Sequence, residues 1–364
     1  MMAYGEQTSL AERKRRAAKR MILGFLGTSL PAEISAFHKR AAPAGYILFA
    51  RNIENPLQVL ELNTDLASLH QKSHIPMRSV DQEGGRVRRI RATDWPPMRY
   101  LGNINDKATT AQVATGLAEE LLGMGFNTNW APVTDVDSNP ANPVIGDRSF
   151  GRTPELCSAH VRTFLNAMQA RGVTGCLKHF PGHGDTDLDS HLALPIVEKD
   201  IPELEHCELF PFLQNIDIAR IVMTAHVMFP AFDEELPATM SHNILHGILR
   251  EKLQYEGIIV SDDMEMKAVR GRWPLEIQLD HSCKAGVDLF LFCKEYELQE
   301  EAFETLVHLQ ESDPLHDKLA IASEKRLLNL QKAMSATHPP SSIESVGSRE
   351  HHALCELILA RGQS

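Results

Sequence analysis

Eight short apolar segments recur along the chain, and their number and spacing constrain its fold more than any other feature. Each is five to eight residues long and lacks a regular alternation of polar and apolar positions. This is the pattern of parallel strands that are buried on both faces. Between the segments, apolar residues fall three and four apart, which indicates helices. The segments are 21–27, 45–49, 76–81, 126–133, 174–179, 219–226, 257–262 and 287–292.

Eight strands, each followed by enough chain for a crossover helix, predict a single closed (β/α)8 barrel of the TIM type. An open, doubly wound sheet is the weaker alternative. We expect the barrel to span residues 21–334, after an N-terminal extension at residues 1–20. Residues 335–364 are predicted to form a linker rich in serine and proline and a C-terminal tail. Within that tail, residues 349–364 predict one amphipathic helix, which is too short to be a domain.

Composition excludes several kinds of partner. A formal net charge of −11 argues against nucleic acid, because the chain has no basic surplus to displace counterions. Six scattered cysteines without a Cys-x-x-Cys pair predict reduced, mostly buried thiols. There is no run of eighteen apolar residues and no apolar leader with a small-residue cleavage site. The sequence therefore predicts a cytoplasmic protein with no membrane partner; its oligomeric state stays open, with a monomer favoured.

Unusual polar residues cluster where the predicted strands end. A (β/α)8 barrel carries its chemistry at the carboxyl ends of its strands, so these residues are expected to meet at one rim. Each alone has a structural explanation: Asp81 can cap a helix, and His226 can be a satisfied core histidine. Five such features at one rim predict an active site. They are 81-DQEGGRVRR-89, 142-NPVIGDRSFG-151, Lys178-His179, His226 and 261-SDD-263.

The chemistry of the predicted site follows partly by elimination. No glycine-rich nucleotide turn and no nucleophile elbow are present. The spacing 185-DTDLD-189 imitates a calcium loop but fails at Ser190 and Ile196. A zinc site through His179, His183 and His191 is conceivable, yet the spacing matches no known ligand pattern. We therefore expect no metal and no cofactor, and favour carboxylate and imidazole chemistry on a polyhydroxylated carbohydrate substrate.

In order and spacing, five stretches resemble the single-domain β-N-acetylglucosaminidases (β-hexosaminidases) of glycoside hydrolase family 3. The resemblance runs from about residue 22 to residue 334, and the histidine-rich stretch that begins at Lys178 is its most specific part. Trp130 stands where the resemblance predicts another apolar or aromatic residue. The stretches are 80-VDQEGGRV-87, 131-APVTDVDSN-139, 145-IGDRSFG-151, 178-KHFPGHGDTDLDSH-191 and 260-VSDDMEMKA-268.

The resemblance implies a retaining mechanism. Asp262 would be the nucleophile that forms a covalent glycosyl-enzyme, and His191 would be the general acid/base, oriented by Asp189. We expect the loop that carries His191 to close over the bound sugar. The residues implied to bind the N-acetylglucosamine ring are Asp81, Arg89, Arg148, Lys178 and His179.

Two further residues near these positions receive supporting roles. We expect Asp263 to support by hydrogen bonding rather than as a second nucleophile, because adjacent strand residues point to opposite faces. His183 is expected to shape its loop rather than to take part in the chemistry.

The predicted function is exo-hydrolysis of terminal β-linked N-acetylglucosamine from peptidoglycan recycling fragments. In the two-domain β-glucosidases of the family the acid/base comes from a second domain, whereas here we expect it within the barrel. Three alternatives stay open: a β-N-acetylglucosaminide phosphorylase, a β-glucosidase, and a non-catalytic sugar-binding barrel.

Overall fold

The barrel is built from eight parallel strands in one sheet. The structure is a computed structural model, and it describes residues 8–71, 74–186, 194–336 and 341–362. The barrel strands are β1 (Met21–Leu23), β2 (Gly45–Leu48), β3 (Met77–Val80), β6 (Thr128–Asn129), β7 (Leu177–Phe180), β8 (Ile221–Thr224), β9 (Ile258–Asp263) and β10 (Leu289–Phe292). A short antiparallel hairpin, β4 (Gln82–Gly84) and β5 (Val87–Arg88), follows β3 directly.

Backbone hydrogen bonds close the sheet into a barrel. Neighbouring strands follow the order β6-β3-β2-β1-β10-β9-β8-β7, which leaves β6 and β7 at the two ends. The end of β6 pairs with the chain just before β7, since the N–H of Asn129 donates to the carbonyl of Thr174 at 2.9 Å. The N–H of Thr134 likewise donates to the carbonyl of Lys178 at 2.7 Å. The predicted (β/α)8 barrel is confirmed, each predicted segment overlaps one barrel strand, and the open-sheet alternative is wrong.

Helices surround the barrel, and capping residues explain where two of them begin or end. The side chain of Asn55 accepts the N–H of Gln58 and caps one helix, and Gly172 ends another in the left-handed conformation. A π-helical segment, Asn243–Lys252, follows β8. The α-helices are α1 (Leu10–Ala18), α2 (Ala32–Arg40), α3 (Pro56–Ser68), α4 (Met98–Ile104), α5 (Lys107–Gly123), α6 (Pro154–Arg171), α7 (Ile201–His206), α8 (Phe210–Asn215), α9 (Lys267–Arg270), α10 (Leu275–Ala285), α11 (Tyr296–Ser312), α12 (Pro314–Met334) and α13 (Arg349–Gly362).

Two apolar layers result from this arrangement. One lies between the sheet and the surrounding helices, and the other fills the barrel interior with side chains such as Ile22, Met77 and Val260. Leu327 and Leu330 of α12 join the interior layer and cover one end of the barrel. The interior is therefore a packed core, and the open space lies at its other end.

The cysteine side chains have the state that the sequence predicts. All six cysteines are free and five of them are buried, as the sequence predicts. In the part of the chain that the structure describes, no helix is both long and apolar enough to cross a bilayer.

A buried carboxylate ties the C-terminal segment to the barrel. Glu120 of α5 accepts the indole N–H of Trp95 at 2.9 Å and a hydrogen bond from the hydroxyl of Thr93. From the C-terminal segment it accepts the N–H of Gly347 at 3.0 Å and Nδ1–H of His351 at 2.9 Å. Helix α13 thus packs on the barrel through a specific polar contact as well as through apolar side chains.

We predict that this contact makes stability depend on pH. Burial alone would lower the pKa of His351, but hydrogen bonding and the charges of Glu120 and Glu119 outweigh it, so the pKa is raised. The imidazolium therefore adds stability that is fully present below the unfolded pKa of about 6.5 and is lost as pH rises through the higher folded pKa. In His351→Ala, the fall in Tm between about pH 5.5 and about pH 9 should be smaller than in the wild type.

The neighbouring His352 is exposed and supplies the matched control. His352→Ala should keep the pH dependence of the wild type in the same thermal scans. An unchanged pH dependence in His351→Ala would rule out the contact with Glu120 as its source.

Candidate active site

A cavity of about 150 Å³ lies at the carboxyl end of the barrel. An apolar cavity of that volume accommodates a molecule with a single six-membered ring. Six of the eight predicted site residues line it: Asp81, Arg89, Arg148, Lys178, His179 and Asp262. The other two, Asp189 and His191, lie outside the described residues.

A network of ion pairs forms one wall of the cavity. The Nζ of Lys178 lies 2.9 Å from Oδ1 of Asp81 and 2.7 Å from Oε1 of Glu83. Arg148 donates to both carboxylate oxygens of Glu83, each at 2.8 Å. Arg89 approaches Oδ2 of Asp81 at 3.5 Å. The network brings together four of the predicted sugar-binding residues, and Glu83 joins two of them.

Because two charged groups of this network are buried, each needs an oppositely charged partner. Glu83 and Lys178 are each 2% exposed. Burial alone would raise the pKa of Glu83, but the charges of Arg148 and Lys178 outweigh it and lower the pKa below its usual range. Burial would lower the pKa of Lys178, but Asp81 and Glu83 outweigh it and raise that pKa. Glu83 and Lys178 therefore stay ionised near neutrality, and the network offers oriented donors and acceptors to a hydroxylated ligand.

Two glycines allow the hairpin after β3 to bring Glu83 to the cavity. Gly84 and Gly85 have φ of +106° and +55°, which L side chains rarely adopt. A Cβ on Gly84 would also lie 2.3 Å from the carbonyl oxygen of Pro96. The side chain of Gln82 accepts the N–H of Arg89 at 2.9 Å and holds the end of the hairpin against its start. The stretch 81–89 therefore turns back over the barrel mouth instead of leaving it.

A turn held by an asparagine places Arg148. The side-chain oxygen of Asn142 accepts the N–H groups of Val144 and Ile145 at 2.8 and 2.7 Å. A 3-10 turn, Gly146–Arg148, follows at once and brings the guanidinium to the cavity. The polar stretch 142-NPVIGDRSFG-151 therefore stabilises this turn as well as providing a site residue.

A second buried carboxylate, Asp135, orients His179. It accepts Nδ1–H of His179 at 2.8 Å and the backbone N–H groups of His179 and His183 at 3.0 and 2.8 Å. A carboxylate partner requires the proton on Nδ1, which fixes the tautomer of the ring. The peptide bond between Lys178 and His179 is cis. Sequence reasoning did not single out Asp135, although it lies in the stretch 131-APVTDVDSN-139 that carried the resemblance.

His183 also lines the cavity and is buried. Its Nδ1 lies 2.9 Å from the hydroxyl of Thr186, and its ring meets that of His179 edge-on at 5.8 Å. Burial, with a smaller contribution from His179, lowers the pKa of His183 to about 4, so the ring is neutral near pH 7.

Asp262 and Asp263 end β9, and both line the cavity. The expectation that adjacent residues would face opposite sides is wrong here. Between Val260 and Asp263 the pairing with β10 shifts register, because two β9 residues lie opposite Phe290. Such a bulge re-aims side chains at strand ends. The Oδ1 of Asp262 accepts the N–H of Asp263 at 2.8 Å, which orients the carboxylate.

The two neighbouring aspartates differ in their environment. Burial, together with the charges of Glu265 and Asp262, raises the pKa of Asp263 to about 7. The carboxyl group of Asp263 is therefore partly protonated near neutrality. The carboxylate of Asp263 also accepts the N–H of Glu265 at 3.0 Å, which fixes the turn after β9.

His226 does not reach the cavity lining and is a satisfied core histidine. Its Nδ1 lies 2.8 Å from the hydroxyl of Thr239, and its Nε2 lies 3.1 Å from the carbonyl oxygen of Asp263. It therefore supports the end of β9 from behind. Within the described ranges, no group of three or more His, Cys, Asp or Glu side chains is placed to hold a metal ion.

Comparison with known proteins places this chain among carbohydrate-active enzymes. Residues 27–330 match the family described as "Glycosyl hydrolase family 3 N terminal domain". The chain is 34% identical to β-hexosaminidase A of Pseudoalteromonas piscicida over 92% of its own length, but it spans only 61% of that relative. It is 33% identical to a β-hexosaminidase of Nitrosomonas eutropha, with 89% of this chain and 96% of the relative covered.

Solved structures agree in fold. A family 3 β-N-acetylglucosaminidase from Paenibacillus sp. FPU-7 superposes with a TM-score of 0.87 at 34% identity, covering 96% of this chain and 68% of that one. NagZ from Neisseria gonorrhoeae, solved in complex with N-trifluoroacetyl-D-glucosamine, gives a TM-score of 0.77 at 28% identity. The superposition covers 94% of this chain and 98% of NagZ.

We predict that removing the charge of Glu83 destabilises the protein. In Glu83→Gln, two buried cations are left with one carboxylate, and breaking a buried ion pair costs roughly 3–5 kcal/mol. Urea unfolding should show a lower midpoint by a corresponding amount. Glu256→Gln changes an exposed glutamate and should leave the midpoint unchanged. Equal midpoints for Glu83→Gln and the wild type would show that the buried cations do not need the charge of Glu83.

Proposed function

The chain belongs to glycosyl hydrolase family 3 and is therefore a glycoside hydrolase, and we propose that it releases terminal β-linked N-acetylglucosamine by a retaining mechanism. One observation carries the proposal. The carboxylate of Asp262 stands in a cavity of single-ring size beside the network of Asp81, Lys178 and Arg148. A nucleophile and a set of sugar-binding groups are thus held together at one barrel mouth.

The substrate class comes from the relatives and suits the cavity. Proteins named β-hexosaminidase match most of this chain, and one structural neighbour was solved with an N-acylated glucosamine. In this chain, we assign Asp81, Arg89, Arg148, Lys178 and His179 to the hydroxyl groups of the sugar ring. Ionised groups form stronger hydrogen bonds to hydroxyls than neutral ones do, which favours tight orientation of the ring.

In the proposed reaction, Asp262 attacks the anomeric carbon. The bond to the leaving oxygen breaks as that oxygen takes a proton, and a covalent glycosyl-enzyme forms. Water then attacks the same carbon and releases Asp262, so the configuration at that carbon is retained. The hydrogen bond from the N–H of Asp263 holds the attacking carboxylate in a fixed orientation throughout.

We assign the proton transfers to His191, with Asp189 as its orienting partner. Both residues lie outside the described part of the chain, so this assignment rests on the sequence resemblance. An imidazole with a pKa of about 6.5 can give a proton to the leaving group and then take one from water near neutrality.

The finer proposal concerns the natural substrate and its location. We propose peptidoglycan recycling fragments that end in N-acetylglucosamine, handled in the cytoplasm. This part rests on the sequence resemblance alone.

The proposed function predicts the products of one assay. In phosphate buffer, the purified chain should release free N-acetylglucosamine from an aryl β-N-acetylglucosaminide faster than it releases glucose from the matching β-glucoside. Asp262→Asn should lower kcat by about four orders of magnitude, because the covalent step needs the charged carboxylate. Asp65→Asn, an exposed change on α3, is the control and should keep full activity.

Each alternative has its own outcome in that assay. A predominant sugar 1-phosphate would mean phosphorolysis, and faster release of glucose would mean a β-glucosidase. A well-folded chain without turnover on either glycoside would support a sugar-binding barrel. Substantial turnover by Asp262→Asn would remove Asp262 from the nucleophile role.

A separate prediction concerns the acid. His191→Ala should reduce kcat/KM far more for substrates with poor leaving groups than for activated aryl glycosides, which depart with little protonation. Steady-state kinetics on a series of aglycones of increasing pKa would show a steeper dependence in the variant than in the wild type. Equal losses across the series would mean that His191 is not the proton donor.

A further inference from the structure

The floor of the substrate cavity differs in chemistry from its charged wall. Ile47, Met223, Leu291 and Trp130 line the cavity, and all four belong to the apolar layer inside the barrel. A ligand in this cavity therefore meets charged groups on one side and an apolar surface below.

Among these four side chains, only that of Trp130 carries an N–H donor. Its side chain is fully buried, and its Nε1 has no hydrogen-bond acceptor among the residues that the structure describes. The backbone is fixed, since the N–H of Trp130 donates to the carbonyl of Val80 at 3.0 Å. Leaving a buried donor unpaired costs about 1–3 kcal/mol, so such groups normally have a partner in the working state of a protein.

Packing alone does not account for this donor. A phenylalanine would supply an aromatic ring at the same position without an unpaired N–H. The donor in this floor therefore points to an acceptor that arrives with the ligand.

The ligand group that suits this floor has one acceptor next to an apolar end. The indole N–H only donates, so it selects an acceptor such as a carbonyl oxygen. The apolar side chains around it favour a methyl group. On N-acetylglucosamine, the 2-acetamido group combines these two features. Glucose carries a hydroxyl on the same carbon, without carbonyl or methyl.

We propose that Trp130 is a specificity-determining residue, whose Nε1–H donates to the carbonyl oxygen of the 2-acetamido group. The methyl of that group packs on Ile47, Met223 and Leu291. This inference rests on the proposed function and deepens it, because it divides recognition into two parts. The charged wall binds hydroxyls that both sugars share, and the floor distinguishes the N-acetylated sugar from glucose.

The test is Trp130→Phe, which removes the donor and keeps an aromatic ring. The kcat/KM for an aryl β-N-acetylglucosaminide should fall by about 3- to 10-fold, the size expected for one neutral hydrogen bond. The kcat/KM for the matching β-glucoside should stay within about twofold, so the ratio of the two should fall. The matched control is Trp273→Phe, which alters a half-buried tryptophan outside the cavity and should leave the ratio unchanged.

A binding measurement keeps the inference testable if the variant folds poorly. Free N-acetylglucosamine should change the tryptophan fluorescence of the wild type and of Trp273→Phe, and glucose at the same concentration should change it less. The change should be absent in Trp130→Phe. Thermal scans with N-acetylglucosamine should likewise show a smaller stabilisation of Trp130→Phe than of the wild type.

The outcomes separate this inference from the proposed function. If the wild type releases N-acetylglucosamine and Trp130→Phe keeps the same sugar ratio, the function stands and the role of Trp130 is overturned. Equal losses on both sugars would reduce Trp130 to a packing residue. Binding of N-acetylglucosamine that depends on Trp130 but leads to no turnover would overturn the hydrolysis and support the inference. A chain that neither binds nor hydrolyses this sugar would overturn both.

Discussion

A buried glutamate, Glu83, pairs with two cations from other parts of the barrel, and the shape of the cavity depends on it. Lys178 comes from β7 and Arg148 from the turn before α6. The carboxylate of Glu83 therefore joins the hairpin after β3 to both of these segments. Removing charged groups from water is costly, and the cost is offset only while all the partners are in place. The same pairing that stabilises the mouth of the barrel also orients Asp81 and Lys178 toward a ligand.

Two further local features orient polar side chains at the mouth of the barrel. The register shift in β9 turns both Asp262 and Asp263 toward the cavity, which a regular strand would not do. Asp135 lies in the segment after β6 that pairs alongside β7, and it fixes the ring of His179 through its carboxylate. In both cases a backbone or buried group decides which way a polar side chain points. The chain thus has a conventional barrel whose strand ends depart locally from regular geometry.

The sequence predicted the barrel strands well because their signal is local. Each predicted segment overlaps one strand, since unbroken apolar runs between helical stretches have few other solutions. Asp81, Lys178 and Asp262 could be located for a similar reason, because parallel strands place their carboxyl ends at one rim. Glu83 and Asp135 were missed as individual residues. Their importance comes from partners that lie 65 and 44 residues away in the chain, and nothing local marks such pairs.

The sequence alone determined the barrel, its active rim and the family resemblance, because apolar periodicity and short polar stretches are properties of neighbouring residues. Tertiary structure alone decided which charges are paired, that Asp263 faces the cavity, and that the indole N–H of Trp130 is buried without an acceptor in the described chain. These properties depend on burial and on distances between remote segments. Burial and distance exist only after the chain has folded.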